Sequence, residues 1–272
     1  SRVHSGNASG LLYSPDGRWL ALAGGGGAGM GVLDAGSLAT VATLPESGSA
    51  GRAGFSPDGK LLAVAKGDAV VLWDTTAWEV VAELSGDDGP LLRWEVSRDG
   101  RAVDRHRAQH VTSLAFHPDG RTLAVGSVRT TVAIWAVETA SIVDRLNISR
   151  SAFATALRYS GDGRFLLGAT SGAGIAVWSD ASPDARFVQR LGTDPREGVS
   201  LAFSQDSQHA LVGDGQARLR IIDTTTLDER IVLALDFGPD PPLVQSGLNR
   251  LAALTWHPDG DRLAGAIPIS SI

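Results

Sequence analysis

The chain has 272 residues, 43% hydrophobic and 20% charged, so a sizeable apolar core is available and a purely disordered chain is excluded. Its formal net charge of −6 argues against a protein built to coat nucleic acid or an anionic membrane surface. The lack of cysteine excludes disulfides, zinc thiolate sites and cysteine nucleophiles, and no apolar run reaches the ~18 residues of a membrane-spanning helix.

In chain order, Ser1-Arg2-Val3-His4 has neither an apolar leader nor a starting methionine, so the chain is expected to be part of a longer protein or a processed one. Tyr13-Ser14-Pro15-Asp16-Gly17 ends a first strand on an aromatic and then reverses. Proline presets φ at the second turn position, and Asp-Gly supplies the sharp bend. Arg18–Ala23 reads as the second strand. Gly24–Gly27 with Ala28-Gly29 looks superficially like a phosphate loop. No Lys-Ser or Lys-Thr follows it, and strands flank it, so a turn is expected there.

The same segment recurs as Phe55-Ser56-Pro57-Asp58-Gly59 and Phe116-His117-Pro118-Asp119-Gly120. Looser copies are Tyr159-Ser160-Gly161-Asp162-Gly163, Phe203-Ser204-Gln205-Asp206-Ser207 and Trp256-His257-Pro258-Asp259-Gly260, and the weakest is Val96-Ser97-Arg98-Asp99-Gly100. From Tyr13 onward the copies follow at 42, 41, 20, 43, 44 and 53 residues. Four of these intervals lie near the period of about 40–45 residues that one four-stranded sheet per repeat requires. Second strands are expected at Lys60–Ala65, Arg121–Gly126 and Arg164–Ala169. β-Branched third strands ending in tryptophan are expected at Val70–Trp73, Thr131–Trp135 and Ile175–Trp178, and fourth strands at Glu79–Leu84 and Ile142–Leu146. Each such sheet is too small to stand alone, whereas sheets stacked around an axis bury both faces. The expected fold class is all-β: a β-propeller of seven blades of four antiparallel strands, one or two of them incomplete, as one domain over 1–272.

Two places break the period. Between Val96 and Phe116 there is room for only half a sheet, and about 20 residues are expected to be absent there. Gly238-Pro239-Asp240-Pro241-Pro242 opens a long loop before the last copy, whose sheet Ser1–His4 is expected to complete as an outer strand.

No catalytic, cofactor or metal site is read from the residues. His117 and His257 occupy the turn slot of Ser14 and Ser56, His209 falls in a second strand and His4 in the terminal one, with no His-x-x-x-His pair. The turn aspartates come one per repeat, as turn formers rather than as a calcium loop. Arg101, Arg105, His106, Arg107 and His110 form a local basic cluster. It reads as a solvated loop, or more sharply as a contact for an acidic partner or a phosphate.

Leu72-Trp73-Asp74 matches the signature dipeptide of WD-repeat proteins, and the chain resembles that family. Trp135-Ala136 and Trp178-Ser179 keep only the tryptophan, while Leu33-Asp34 and Ile222-Asp223 keep only the aspartate. The family's Gly-His pair is missing from every repeat, with His110 its nearest remnant, so the repeats are degenerate. The resemblance implies a non-enzymatic platform for a protein or peptide, regulating or scaffolding an attached or associated effector; the Ala-, Gly-, Asp- and Arg-rich composition is compatible with a bacterial source, and a cytoplasmic location is expected. It implies binding on the face that carries the turns between second and third strands. On this chain those turns hold Gly25, Lys66, Asp68, Arg129, Ser171 and Asp214, with Arg105 and Arg107 beside the irregular repeat. Two further readings stay open: a propeller enzyme of the hydrolase or lactonase type with a site at the channel mouth, and a constitutive structural scaffold.

Overall fold

The computed structural model describes residues 8–24, 29–44, 52–85, 95–96, 102–103, 111–128, 131–148, 152–171, 174–179, 182–190, 200–213, 218–234, 253–256 and 263–266. All regular structure among them is β. The first sheet is β1 (Ala8–Tyr13), β2 (Trp19–Gly24), β3 (Met30–Asp34) and β4 (Thr40–Leu44). The second is β5 (Ala53–Phe55), β6 (Leu61–Lys66), β7 (Ala69–Asp74) and β8 (Val80–Ser85). A pair follows, β9 (Glu95–Val96) and β10 (Ala102–Val103). Next come β11 (Val111–Phe116), β12 (Thr122–Ser127), β13 (Thr131–Ala136) and β14 (Ser141–Asn147), then β15 (Ala154–Tyr159), β16 (Phe165–Thr170), β17 (Gly174–Ser179) and β18 (Ser182–Arg190). The last are β19 (Ser200–Phe203), β20 (His209–Gly213), β21 (Arg218–Asp223) and β22 (Glu229–Ala234), with a final pair, β23 (Ala253–Trp256) and β24 (Leu263–Ala266).

Each four-stranded set is an antiparallel meander in sequence order, and the sets β11–β14 and β15–β18 are joined into one eight-stranded sheet by the parallel pair of β14 with β18 at Asn147 and Asp184. The expected second strands each lie one residue later than read, because the residue after Asp-Gly still belongs to the turn: its amide binds the aspartate, as Arg18, Lys60 and Arg164 show. The expected segments Ser1–His4 and 238–242 lie outside the described residues.

The chain divides into two compact units, 1–111 with 139–142, and 112–138 with 143–272. In the first, one core joins two consecutive sheets: Trp19, Ala21, Met30, Val32 and Leu44 meet Leu62 and Val64. In the second unit the sheet β15–β18 is buried on both faces. Leu166, Ala176 and Trp178 pack with Ala124, Val132, Ile134 and Leu146 of the preceding sheet. Leu167, Ala169, Ile175 and Val177, one residue out of step, pack with Leu201, Ala210, Val212 and Ile222 of the next. Side chains alternate across a strand, so a sheet covered on both sides reads as a continuous apolar run such as Leu166-Leu167-Gly168-Ala169. Each fully buried leucine or isoleucine stabilises this stack by about 1.5–3 kcal/mol.

Candidate functional site

In a meander the turn between the first and second strands and the turn between the third and fourth lie at one end of the sheet, and the turn between second and third lies at the other. The two ends are built differently. At the first end the repeated segment forms a locked turn. In the first copy the Gly17 amide donates to the Ser14 carbonyl (2.9 Å), the Ser14 hydroxyl donates to Asp16 Oδ1 (2.5 Å), and the Trp19 amide donates to Ser14 Oγ (2.8 Å). Ser56 with Asp58 (2.7 Å), Ser160 with Asp162 (2.6 Å) and Ser204 with Asp206 (2.6 Å) repeat the arrangement. Gly17, Gly59, Gly120 and Gly163 have φ of +71° to +77°, the left-handed region that glycine enters without strain. Ser207 holds the same conformation at +60° in the copy that lacks glycine.

These bonds favour the charged carboxylate. The Ser14 hydroxyl, then the Arg18 amide, holds Asp16 below its ordinary range, and Ser56 and Ser204 do the same for Asp58 and Asp206. For Asp162, partial burial opposes the shift, but Ser160 and the Arg164 amide outweigh it.

The turns between third and fourth strands are fixed to the same end. Asp34, Asp74 and Asp223 each accept amide hydrogens through Oδ1, from Ser37 (2.8 Å), from Thr76 and Ala77 (2.7 and 2.8 Å), and from Thr225 and Thr226 (both 2.9 Å). Four residues after Asp34, Asp74 and Asp223, the non-glycine Leu38, Trp78 and Leu227 sit at positive φ, and each amide closes back onto the aspartate carbonyl. Thr75 and Thr224 donate through Oγ1 to the Gly59 and Ser207 carbonyls (2.7 and 3.0 Å), which joins the two turns of a sheet.

The other end carries the predicted site residues. Lys66 and Asp68 flank Gly67 in the tight turn between β6 and β7, both exposed, while the Gly67 carbonyl accepts the Val111 amide (2.9 Å). Ser171 follows β16. Its amide donates to the Phe153 carbonyl (2.9 Å) and its hydroxyl accepts the Phe153 amide (3.1 Å), so it has a structural task as well as partial exposure. Gly25, Arg105, Arg107, Arg129 and Asp214 lie outside the described residues. Among the described residues no three metal-ligating side chains gather.

Sequence reading missed a cleft at the locked end of the second unit. It has a volume of about 550 Å³ and lies between the sheets β11–β14 and β15–β18. His117, Asp119, Asp144, Tyr159, Arg164 and Trp178 are among its walls. His117 fills the turn slot as expected. It also reaches the next sheet, with Nδ1 2.8 Å from Asp119 Oδ1, Nε2 3.3 Å from the Gly163 carbonyl, and the ring edge-on to Tyr159 at 5.0 Å. The signal was the replacement of serine by histidine in the turn slot, which the sequence shows at His117 and again at His257. Partial burial raises Asp119, but the Arg121 amide and His117 together hold it below its ordinary range.

A family model described as the WD40 domain of anaphase-promoting complex subunit 4 matches residues 93–160. The likeness is to WD-repeat proteins. Pre-mRNA-processing factor 19 of Oryza sativa subsp. japonica is 27% identical over 165 residues, which is 55% of this chain and 31% of that protein. The chain therefore spans about a third of that relative's length. The WD40 match runs through the shortened repeat at β9 and β10, where the sequence period is weakest. The aspartate of the Trp73-Asp74 dipeptide has a visible role here: Asp74, with Asp34 and Asp223 in its place elsewhere, shapes the third-to-fourth turn, and the neighbouring Trp73 packs against the core, as Trp78 does.

Proposed function

We propose that the chain is a single seven-bladed β-propeller of degenerate WD repeats, acting as a non-catalytic platform for a protein or peptide. In this reading it regulates or scaffolds an effector within a bacterial, cytoplasmic protein. The partner lies on the face of the second-to-third turns, over Lys66, Asp68 and Ser171 and the corresponding Gly25, Arg129 and Asp214, with Arg105 and Arg107 beside them. The observation that carries the reading is that Lys66 and Asp68 are both exposed on a short turn between the buried strands β6 and β7. Charged side chains on a rigid frame suit recognition, because little order is lost on binding. The likeness to WD40 domains supports an interaction role in the same direction. A pull-down with the intact chain and with a Lys66→Ala/Asp68→Ala variant tests it: the variant is expected to lose a partner that the intact chain retains. Recovery of identical partners by both sinks the assignment of the face.

A further inference from the structure

We infer that Arg52 forms a carboxylate-binding subsite at the same end of the second sheet as Lys66 and Asp68, and that it takes an acidic group of a peptide. The inference rests on the platform reading of that end. The first observation is position. Arg52 immediately precedes β5, and its carbonyl accepts the Ala65 amide (3.0 Å), one residue before Lys66. This register sets Arg52 beside the Lys66-Gly67-Asp68 turn. The second is a fixed guanidinium. Arg52 is only partly exposed, and its Nη1 donates to the Val111 carbonyl. Val111 is itself 2% exposed, and its amide donates to the Gly67 carbonyl (2.9 Å), so both backbone groups of Val111 are tied to this end of the sheet. The arginine side chain is therefore held before any ligand arrives, and little rotamer freedom is left to lose on binding.

The third is a charge without its counter-charge. A guanidinium carries its N–H donors in a planar fork, and the Val111 carbonyl engages one nitrogen of it. Among the described residues no carboxylate lies within ion-pair distance of Arg52. Burial, rather than any neighbouring charge, pushes the Arg52 guanidinium below its ordinary value. Arg220 is the contrast: it is buried in β21, and its Nη1 lies 3.2 Å from Glu229 Oε2. A partly buried cation without an anion is costly, and an incoming carboxylate removes that cost while matching the planar fork. The surrounding charge narrows the ligand. Lys66 adds an exposed positive charge on the adjoining turn and Asp68 an exposed negative one, while the whole chain carries −6. A polyanion such as nucleic acid would meet net repulsion here, whereas a single carboxylate is met by Arg52 itself.

The test titrates three fluorescein-labelled hexapeptides into the full chain by fluorescence anisotropy. One alternates glutamate and serine with an amidated C-terminus, one alternates glutamine and serine with a free C-terminus, and the third is the glutamine peptide amidated. At least one of the two carboxylate-bearing peptides is expected to bind about tenfold more tightly than the third, and to weaken as salt is raised. Which of them does so tells a side-chain carboxylate from a terminal one. Arg52→Gln keeps a donor for the Val111 carbonyl but no charge, and is expected to abolish the preference. Arg52→Lys keeps the charge without the fork, and is expected to retain a preference of about threefold. In the unaltered protein, the Arg52 Nε–H resonance is expected to move on adding the favoured peptide, which reads the site where Arg52→Gln fails to fold. Equal affinity for the three peptides, an unmoved resonance, or a folded Arg52→Gln variant that keeps the preference overturns the inference. The platform reading is judged apart from it by the pull-down. A partner lost there, with no carboxylate preference here, leaves the platform standing and refutes the subsite. Identical partners there, with an Arg52-dependent preference here, remove the platform and leave the subsite standing.

Discussion

The smallest unit that decides this structure is the pair formed by a turn serine and an aspartate two residues on. Ser160 is fully buried, donates to Asp162 and accepts the Phe165 amide at 3.0 Å. Ser160→Ala leaves a buried amide and a turn carboxylate without that partner, and is expected to cost about 1–3 kcal/mol, read as a lower urea midpoint at unchanged slope. The same bonds link stability to pH. Asp16, Asp58, Asp162 and Asp206 have folded-state values depressed below the ordinary 3.8. Their contribution is therefore full at pH above that value and is lost as the pH falls through the depressed values. Unfolding midpoints are expected to be flat from neutral pH to about 5 and to drop below about 4, with a shallower drop in Ser56→Ala, which removes the largest cause at Asp58. A midpoint that ignores acid in both proteins counts against the Ser–Asp pairs as a source of stability.

At the scale of the element, strand positions were legible because the physics is local. Proline, aspartate and glycine fix the turn, an aromatic precedes it, and an apolar run follows. His117 was legible as a turn residue but not as a wall of a cleft, because its contacts to Gly163 and Tyr159 join segments more than 40 residues apart, which no short pattern encodes. Asp144 was hidden for the same reason: a charged residue in an outer strand reads as solvated surface until the facing sheet is known. Gly168 was equally silent. It lies mid-strand in β16, and a Cβ there would stand 2.8 Å from Trp178 Cζ3 and 3.4 Å from Leu157 Cδ2. Trp178 is 2% exposed, and its Nε1 donates to the Asn147 carbonyl at 3.1 Å, so the ring is pinned. Gly168→Ala is thus expected to destabilise by about 1–3 kcal/mol through overpacking, although a side chain in place of glycine otherwise favours a strand interior. Gly67→Ala makes a useful contrast. Nothing lies within 4 Å of its Cβ position, and the cost of about 1 kcal/mol comes from φ of +63° alone. Near-ultraviolet circular dichroism separates the two, since only Gly168→Ala displaces a buried tryptophan.

For the whole molecule, the repeated packing of one sheet face on the next sets up a sharper expectation. Within each unit, neighbouring sheets share a core, as Leu62 does with Trp19 and Val32 and as Val212 does with Leu167 and Ile175, and Leu211 in β20 is fully buried. If sheets stack only in an open row, stability is a sum of local terms and a defect stays near its origin. If they close into the single propeller proposed above, every sheet has two neighbours and the loss of one removes support on both sides. Leu62→Ala and Leu211→Ala place comparable cavities in the first and second compact units, each costing about 2–5 kcal/mol. Calorimetry is expected to show one cooperative transition, and both variants are expected to lower it by about 2–4 °C for each kcal/mol lost. Two transitions, each moved by one variant alone, would mean that the two units unfold independently, and the reading of 1–272 as one domain would fall while the locked turns and shared cores within each unit stood.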